Sequence, residues 1–156
     1  MKRLLTLISI LILSTASSAE QNYEVGFGTN YGGVLGGTIN VDLNANTEVF
    51  VGLGAGFDGV TYVVGTKFWL NNNTRLTMNY GTNCIYETWS SGAGYGWKDT
   101  EGLNFGIGYT FSGKDEAGWA FDLMLLDTSD CNAATDDYYS DITSDSAIRL
   151  ALGYRF

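Results

Sequence analysis

The sequence predicts an all-β chain: an eight-stranded antiparallel up-and-down β-barrel that crosses a membrane. Three observations carry this reading. Eight stretches of about ten residues alternate strictly between apolar and small or polar residues, which is the period of a strand with two different faces. The second face is rich in glycine, asparagine, threonine and charges, so it cannot build an apolar core. The last nine residues, Ile148 to Phe156, alternate to an aromatic end, where a closed barrel needs a last strand to pair with its first.

In the first strand Tyr23, Val25 and Phe27 oppose Glu24, Gly26 and Gly28. The second sets Leu35, Gly37, Ile39, Val41 and Leu43 against Gly36, Thr38, Asn40 and Asp42. In the third, Val49, Val51, Leu53, Ala55 and Phe57 face away from Glu48, Phe50, Gly52, Gly54 and Gly56. The fourth has Tyr62, Val64, Thr66, Phe68 and Leu70 against Val63, Gly65, Lys67 and Trp69. The fifth places Leu76, Met78, Tyr80, Thr82, Cys84 and Tyr86 opposite Arg75, Thr77, Asn79, Gly81 and Asn83. In the sixth, Leu103, Phe105, Ile107, Tyr109 and Phe111 alternate with Gly102, Asn104, Gly106, Gly108 and Thr110. The seventh runs Trp119, Phe121, Leu123 and Leu125 against Ala120, Asp122 and Met124, and the C-terminal stretch is the eighth. The chain has no proline, which suits ladders that need every backbone donor.

The connections alternate in kind. Asn44 to Asn46, Asn71 to Asn73 and Ser112 to Ala117 are short and made of turn formers. The two longest, about Glu87 to Thr100 and Thr128 to Ser144, fall at the other end. The remaining two at that end, near Asn30 to Gly33 and at Asp58-Gly59, are tight. Short periplasmic turns and longer outer loops are the pattern of membrane barrels.

A soluble barrel of lipocalin type also alternates, but it fills its interior with large apolar residues. Here the apolar face needs an apolar solvent, and the polar face makes a lumen. The N-terminus agrees. Lys2-Arg3, the largely apolar run Leu4 to Leu13 and Ser17-Ser18-Ala19 read as a secretory signal peptide over residues 1–19. The barrel domain is then 20–156. With this patterning the chain resembles the small OmpA/OmpX-type outer-membrane proteins of Gram-negative bacteria, at the level of architecture. The resemblance implies a bacterial outer-membrane location reached through the periplasm. Leu150, Leu152, Tyr154 and Phe156 look like the C-terminal signal read by the barrel-assembly machinery. Outer-membrane lipid and lipopolysaccharide are the expected surroundings, and the expected state is a monomer.

Of the 8 basic residues, Lys2 and Arg3 lie in the signal segment, so 6 remain against 17 acidic ones. A mature charge of −11 argues against nucleic acid as a partner. Eight charges are expected to point into the lumen: Glu24, Asp42, Glu48 and Asp122 against Lys67, Arg75, Arg149 and Arg155. Neighbouring strands offer Glu48 with Lys67, Asp122 with Arg149 or Arg155, and Glu24 with Arg155 across the closure. Buried charges must pair, because an unpaired one costs several kcal/mol. Eight strands enclose a space that side chains can just fill. The expectation is a salt-bridge-plugged lumen and a role in envelope structure or in surface interaction through outer loops. The alternative is a narrow channel or transporter for small or hydrophobic molecules, which the inward glycines keep open.

Catalysis is not expected, and no catalytic residue is assigned. The chain has no histidine, so a serine nucleophile would need another base. Asp58 and Glu87 at the outer rim are acids of a solvated surface. No cofactor and no metal site are expected. The acidic run Asp127, Asp130, Asp136, Asp137, Asp141 and Asp145 does not have the spacing of an EF-hand loop. Cys84 and Cys131 are expected to form a disulfide in an oxidising compartment, with separately buried thiols as the alternative. Trp89, Tyr95 and Trp97, in a glycine-rich outer loop, are candidates for partner binding, with anchoring in the headgroup zone as the other reading.

Overall fold

The computed structural model describes residues 21–57, 59–90, 94–127 and 148–156, without the side chains of 84–98. The expected signal peptide lies outside the described residues. So do the side chains of Cys84, Cys131, Glu87, Trp89, Tyr95 and Trp97, all of Asp58, and most of the acidic last loop.

Eight strands close into one antiparallel barrel, each paired with its sequence neighbours: β1 (Gln21–Gly28), β2 (Gly33–Asn44), β3 (Thr47–Ala55), β4 (Val60–Trp69), β5 (Thr74–Ser90), β6 (Gly94–Thr110), β7 (Gly118–Leu126) and β8 (Ile148–Arg155). β1 and β8 close the ring with Glu24 opposite Arg155 and Phe27 opposite Leu152. The Phe156 amide adds a bond to the Tyr23 carbonyl at 2.9 Å.

The two faces sort as the alternation requires except at Thr82, which was expected outward and is buried beside Asn83. Leu53, Leu123, Leu150, Phe105 and Trp119 are exposed on the outside. Asn40, Asn79, Asn104 and the charged side chains are buried inside.

Side-chain amides fix the short turns. Asn46 N–H donates to Asn44 Oδ1 at 2.9 Å, and the amides of Asn73 and Thr74 donate to Asn71 Oδ1 at 2.9 and 2.8 Å. Each asparagine thereby supplies an acceptor for backbone amides that a tight reversal leaves without a ladder partner.

One connection departs from expectation, and another, expected to be tight, is tight but turns inward. The segment from Glu87 to Thr100, read above as loop, is mostly strand. β5 and β6 stay paired from Thr74–Tyr109 to Ser90–Gly94. A register shift between Thr82 and Cys84 changes the phase of the alternation there, which hides the continuation from a period-two reading. Pairing with the flanking strands stops near Gly81 on β4's side and Asn104 on β7's side. The β5–β6 ribbon therefore runs on past the rest of the barrel.

The connection after β1 does not pass over the outer rim. Thr29–Tyr31 form a 3-10 turn that folds into the lumen, and all three residues are buried. Gly28 (φ 104°) and Gly32 (φ 81°) flank it in left-handed backbone, where a Cβ would be strained.

Candidate functional site

The lumen holds the chemistry. Six charged side chains from six strands meet at its centre, each at most 1% exposed: Glu24, Glu48, Asp122, Lys67, Arg75 and Arg155. Glu24 is the hub. Its Oε1 lies 2.8 Å from Lys67 Nζ, 2.8 Å from Arg155 Nη2 and 3.4 Å from Arg75 Nη1. Arg155 also forks onto Glu48, with Nη1 to Oε1 at 2.9 Å and Nη2 to Oε2 at 2.7 Å. Arg75 forks onto Asp122 at 3.1 and 2.8 Å. Three acids thus balance three bases, and the bidentate arginine geometry is the strong form of such a contact. The indole of Trp69 lies against both guanidinium groups, 5.5 Å from that of Arg75 and 5.3 Å from that of Arg155.

One expected pair of adjacent strands forms, Glu24 with Arg155 across the closure, and the other partners differ from those expected. Lys67 is in register with Glu48, yet its ammonium goes to Glu24 and to Asn40 Oδ1 at 2.7 Å. Asp122 takes Arg75, not Arg149 or Arg155. Long side chains project across the lumen and meet there, so their pairing skips strands. Glycine opens the path: a Cβ at Gly108, on the strand between Arg75 and Asp122, would overlap the Asp122 carboxylate and lie 2.9 Å from Arg75 Nε.

Two of the eight expected residues stand apart from this cluster. Arg149 is half-buried at the other end of β8, opposite Met124; six residues from Arg155, it is roughly 20 Å away along the strand. Asp42 sits at the mouth beside the short turns, where Lys114 Nζ reaches it at 3.0 Å. Lys114 also donates to the Ala45 carbonyl at 3.1 Å, and its own carbonyl accepts from Arg155 Nη1. The β6–β7 turn therefore straps the mouth beneath the charge cluster.

Above the cluster, Tyr31 donates from its hydroxyl to Glu24 Oε2 at 3.3 Å. Its ring occupies the space left by inward glycines: a Cβ at Gly26 would stand 2.7 Å from it, and one at Gly153 would overlap it. Phe50 fills the space beside Gly65 in the same way, and Met124 that beside Gly106. The glycines that left room for a channel in the sequence are the sockets of the plug. Next to Tyr31, Asn79 donates to Asn30 Oδ1 at 2.7 Å, and Asn104 donates to Asn79 Oδ1 at 2.9 Å.

No protein-family model, curated protein or solved structure matches this chain. The lumen therefore has to be read on its own chemistry. Among the described residues no three His, Cys, Asp or Glu side chains converge as metal ligands.

Sequence reasoning missed Tyr31, Lys114, Trp69 and Phe50. Trp69 and Phe50 were legible as large rings on an otherwise small inward face. Tyr31 had a signal in the glycines around it, Gly28 before and Gly32-Gly33 after. Lys114 had none, since a lysine in a short turn ordinarily faces water. The four terminal residues expected as an assembly signal lie on β8 and at its end: Leu150, Leu152 and Phe156 are exposed, and Tyr154 packs edge-on against Trp119 at 5.4 Å.

Proposed function

We propose that the chain is a monomeric outer-membrane β-barrel with a closed lumen, serving envelope structure or surface interaction through its outer segments. One observation carries the closed lumen. The charge cluster centred on Glu24 is covered by the inward turn at Tyr31 on one side and by the Lys114 strap on the other. A solvated pore would leave such side chains partly wet, whereas these are sealed and mutually paired. The membrane reading is supported by the outer surface, where apolar side chains on every strand lie exposed around the ring. In water such a surface would be an aggregation hazard, and in lipid it is solvated. The outer-segment reading is supported by the β5–β6 ribbon, which runs past its neighbouring strands and carries positions 89, 95 and 97.

Two measurements test this. Unboiled protein in lipid or detergent should migrate differently from boiled protein on a gel, as a closed barrel resists detergent unfolding. The same protein in a planar bilayer should show no discrete conductance steps. Openings that vanish on Lys67→Met or Arg75→Met substitution would replace the closed reading with the narrow-channel one.

A further inference from the structure

The connection between β1 and β2 is complete as a turn and is bent as a whole. Gly32 N–H donates to the Thr29 carbonyl at 3.3 Å, and Gly32 is left-handed at φ 81° and ψ 22°, as in common short loops of β-hairpins. The two residues at its base take it into the lumen. Gly28 and Gly33 stand opposite each other, at φ 104° and 139°. With ψ at 179°, Gly28 lies in a region of backbone space open essentially to glycine alone. Both legs of the hairpin therefore bend at one level, along a line of two glycines.

The inward position leaves hydrogen bonds unmet on both sides of the wall. The Phe156 amide bonds to the Tyr23 carbonyl, so the hydrogen-bonded pairs of the seam are Tyr23 with Phe156, Val25 with Tyr154 and Phe27 with Leu152. The next would be Thr29 with Leu150, and it is not made. Inside the lumen, Thr29 Oγ1 and Asn30 Nδ2 are buried without a hydrogen-bond partner among the described residues. Against this, Tyr31 donates to Glu24 at 3.3 Å and Asn79 donates to Asn30 at 2.7 Å. The turn also lies on a bed of glycine: a Cβ at Gly36 would overlap the Tyr31 carbonyl, and one at Gly54 would stand 2.7 Å from it. Inward, the segment keeps these contacts; outward, it gains the Thr29–Leu150 pair. Two arrangements with offsetting contacts make a bistable element.

We propose that the Thr29–Tyr31 turn is a movable plug, which swings on Gly28 and Gly33 out of the lumen so that Thr29 pairs with Leu150. Extending β1 puts Thr29 on the outer face with Val25 and Phe27. It also withdraws the Tyr31 ring from beside Gly26 and Gly153. The lumen then opens from its outer end as a glycine-walled vestibule ending at Glu24 Oε2. The ion pairs of Glu24 Oε1 beneath stay in place, so the charge barrier is kept in both positions. The movement goes beyond the closed-barrel reading and rests on the barrel fold alone, whatever solvent meets the outer wall.

Leu150 is exposed on the outer face whereas Thr29 is buried, so cysteines at the two positions can bridge only when Thr29 comes out. The test uses full-length protein carrying Thr29→Cys and Leu150→Cys, with Cys84→Ser and Cys131→Ser, folded in detergent and oxidised with diamide. Neither replaced side chain gives up a hydrogen bond, and the heat-dependent gel shift reports an intact barrel. The bridge should form faster than the barrel unfolds, and a control pair already in register, Phe27→Cys with Leu152→Cys, should form it fastest. Gly28→Ala is strained only in the inward position and should speed trapping at least about tenfold. Tyr31→Phe loses one hydroxyl bond and should speed it about fivefold. Thr29→Cys alone, labelled by a water-soluble thiol reagent, reads the same motion with the same two accelerations. No bridge where the control pair bridges, trapping no faster than global unfolding, or a rate unmoved by both Gly28→Ala and Tyr31→Phe would each overturn the proposal.

Discussion

Glu24 and Arg155 face each other across the seam between the first and last strands, with Arg155 Nη2 2.8 Å from Glu24 Oε1. The seam is thereby tied to the lumen cluster, because the same carboxylate oxygen holds Lys67 and Arg75. The residue that closes the ring is thus also a member of the interior charge cluster.

Glu24→Ala should therefore be among the most damaging substitutions in the protein. It leaves three buried cations facing two acids, and breaking a buried pair in this way costs about 3–5 kcal/mol. Tyr31→Phe removes only the hydroxyl bond to Glu24 and should cost about 1 kcal/mol. Urea titration followed by the gel shift measures both. Equal stability of Glu24→Ala and wild type would mean that the cluster is hydrated and dispensable.

Two glycines separate the plug from the outer wall. At Gly26 an added methyl would meet the Tyr31 ring and the backbone of β8, whereas at Gly37 its nearest neighbours are 3.2 and 3.6 Å away. Gly26→Ala should destabilise by about 1–3 kcal/mol as an overpacked site. Gly37→Ala should stay within about 1 kcal/mol of wild type, since a glycine-to-alanine change in a strand interior is itself favourable by about that much. The same urea titration separates them, and an equal loss at both positions would place Tyr31 elsewhere.

On the proposed membrane reading, the apolar band sets a preferred bilayer thickness. Along β6 and one residue past its end the outward apolar residues run from Leu103 to Phe111. Eight steps of about 3.3 Å, tilted by about 40°, give a height of roughly 20 Å. Refolding from urea should be fastest and most complete into vesicles of short-chain lipids, declining as chains lengthen and mismatch grows. Yields independent of chain length would show that the band is not what the membrane reads.

The cysteines give a prediction from sequence alone. Alkylation of unreduced, denatured protein exported to an oxidising compartment should modify neither Cys84 nor Cys131, and prior reduction should expose both. Two free thiols before reduction would remove the expected disulfide.

Strand number, strand faces and the inward set of charges were legible because they follow from a local rule, the period of two, which each residue obeys whatever its distant neighbours do. Membership of the cluster was therefore readable for Glu24, Glu48, Lys67, Arg75, Asp122 and Arg155. Of their pairing only Glu24 with Arg155 was. Register places Lys67 beside Glu48, and only the three-dimensional reach of side chains across a narrow lumen sends it to Glu24. The phase change near Asn83 concealed the ribbon for the opposite reason, since a single inserted residue breaks the local rule that had worked elsewhere.

By itself, the sequence determined an antiparallel barrel with an apolar outside, because alternation and the absence of proline are properties of the chain taken one strand at a time. The tertiary structure alone decided that the barrel is filled. Filling depends on Tyr31 turning inward, Lys114 crossing beneath and glycines at 26, 108 and 153 leaving room. These are relations between residues far apart in the chain, brought together only when β1 meets β8.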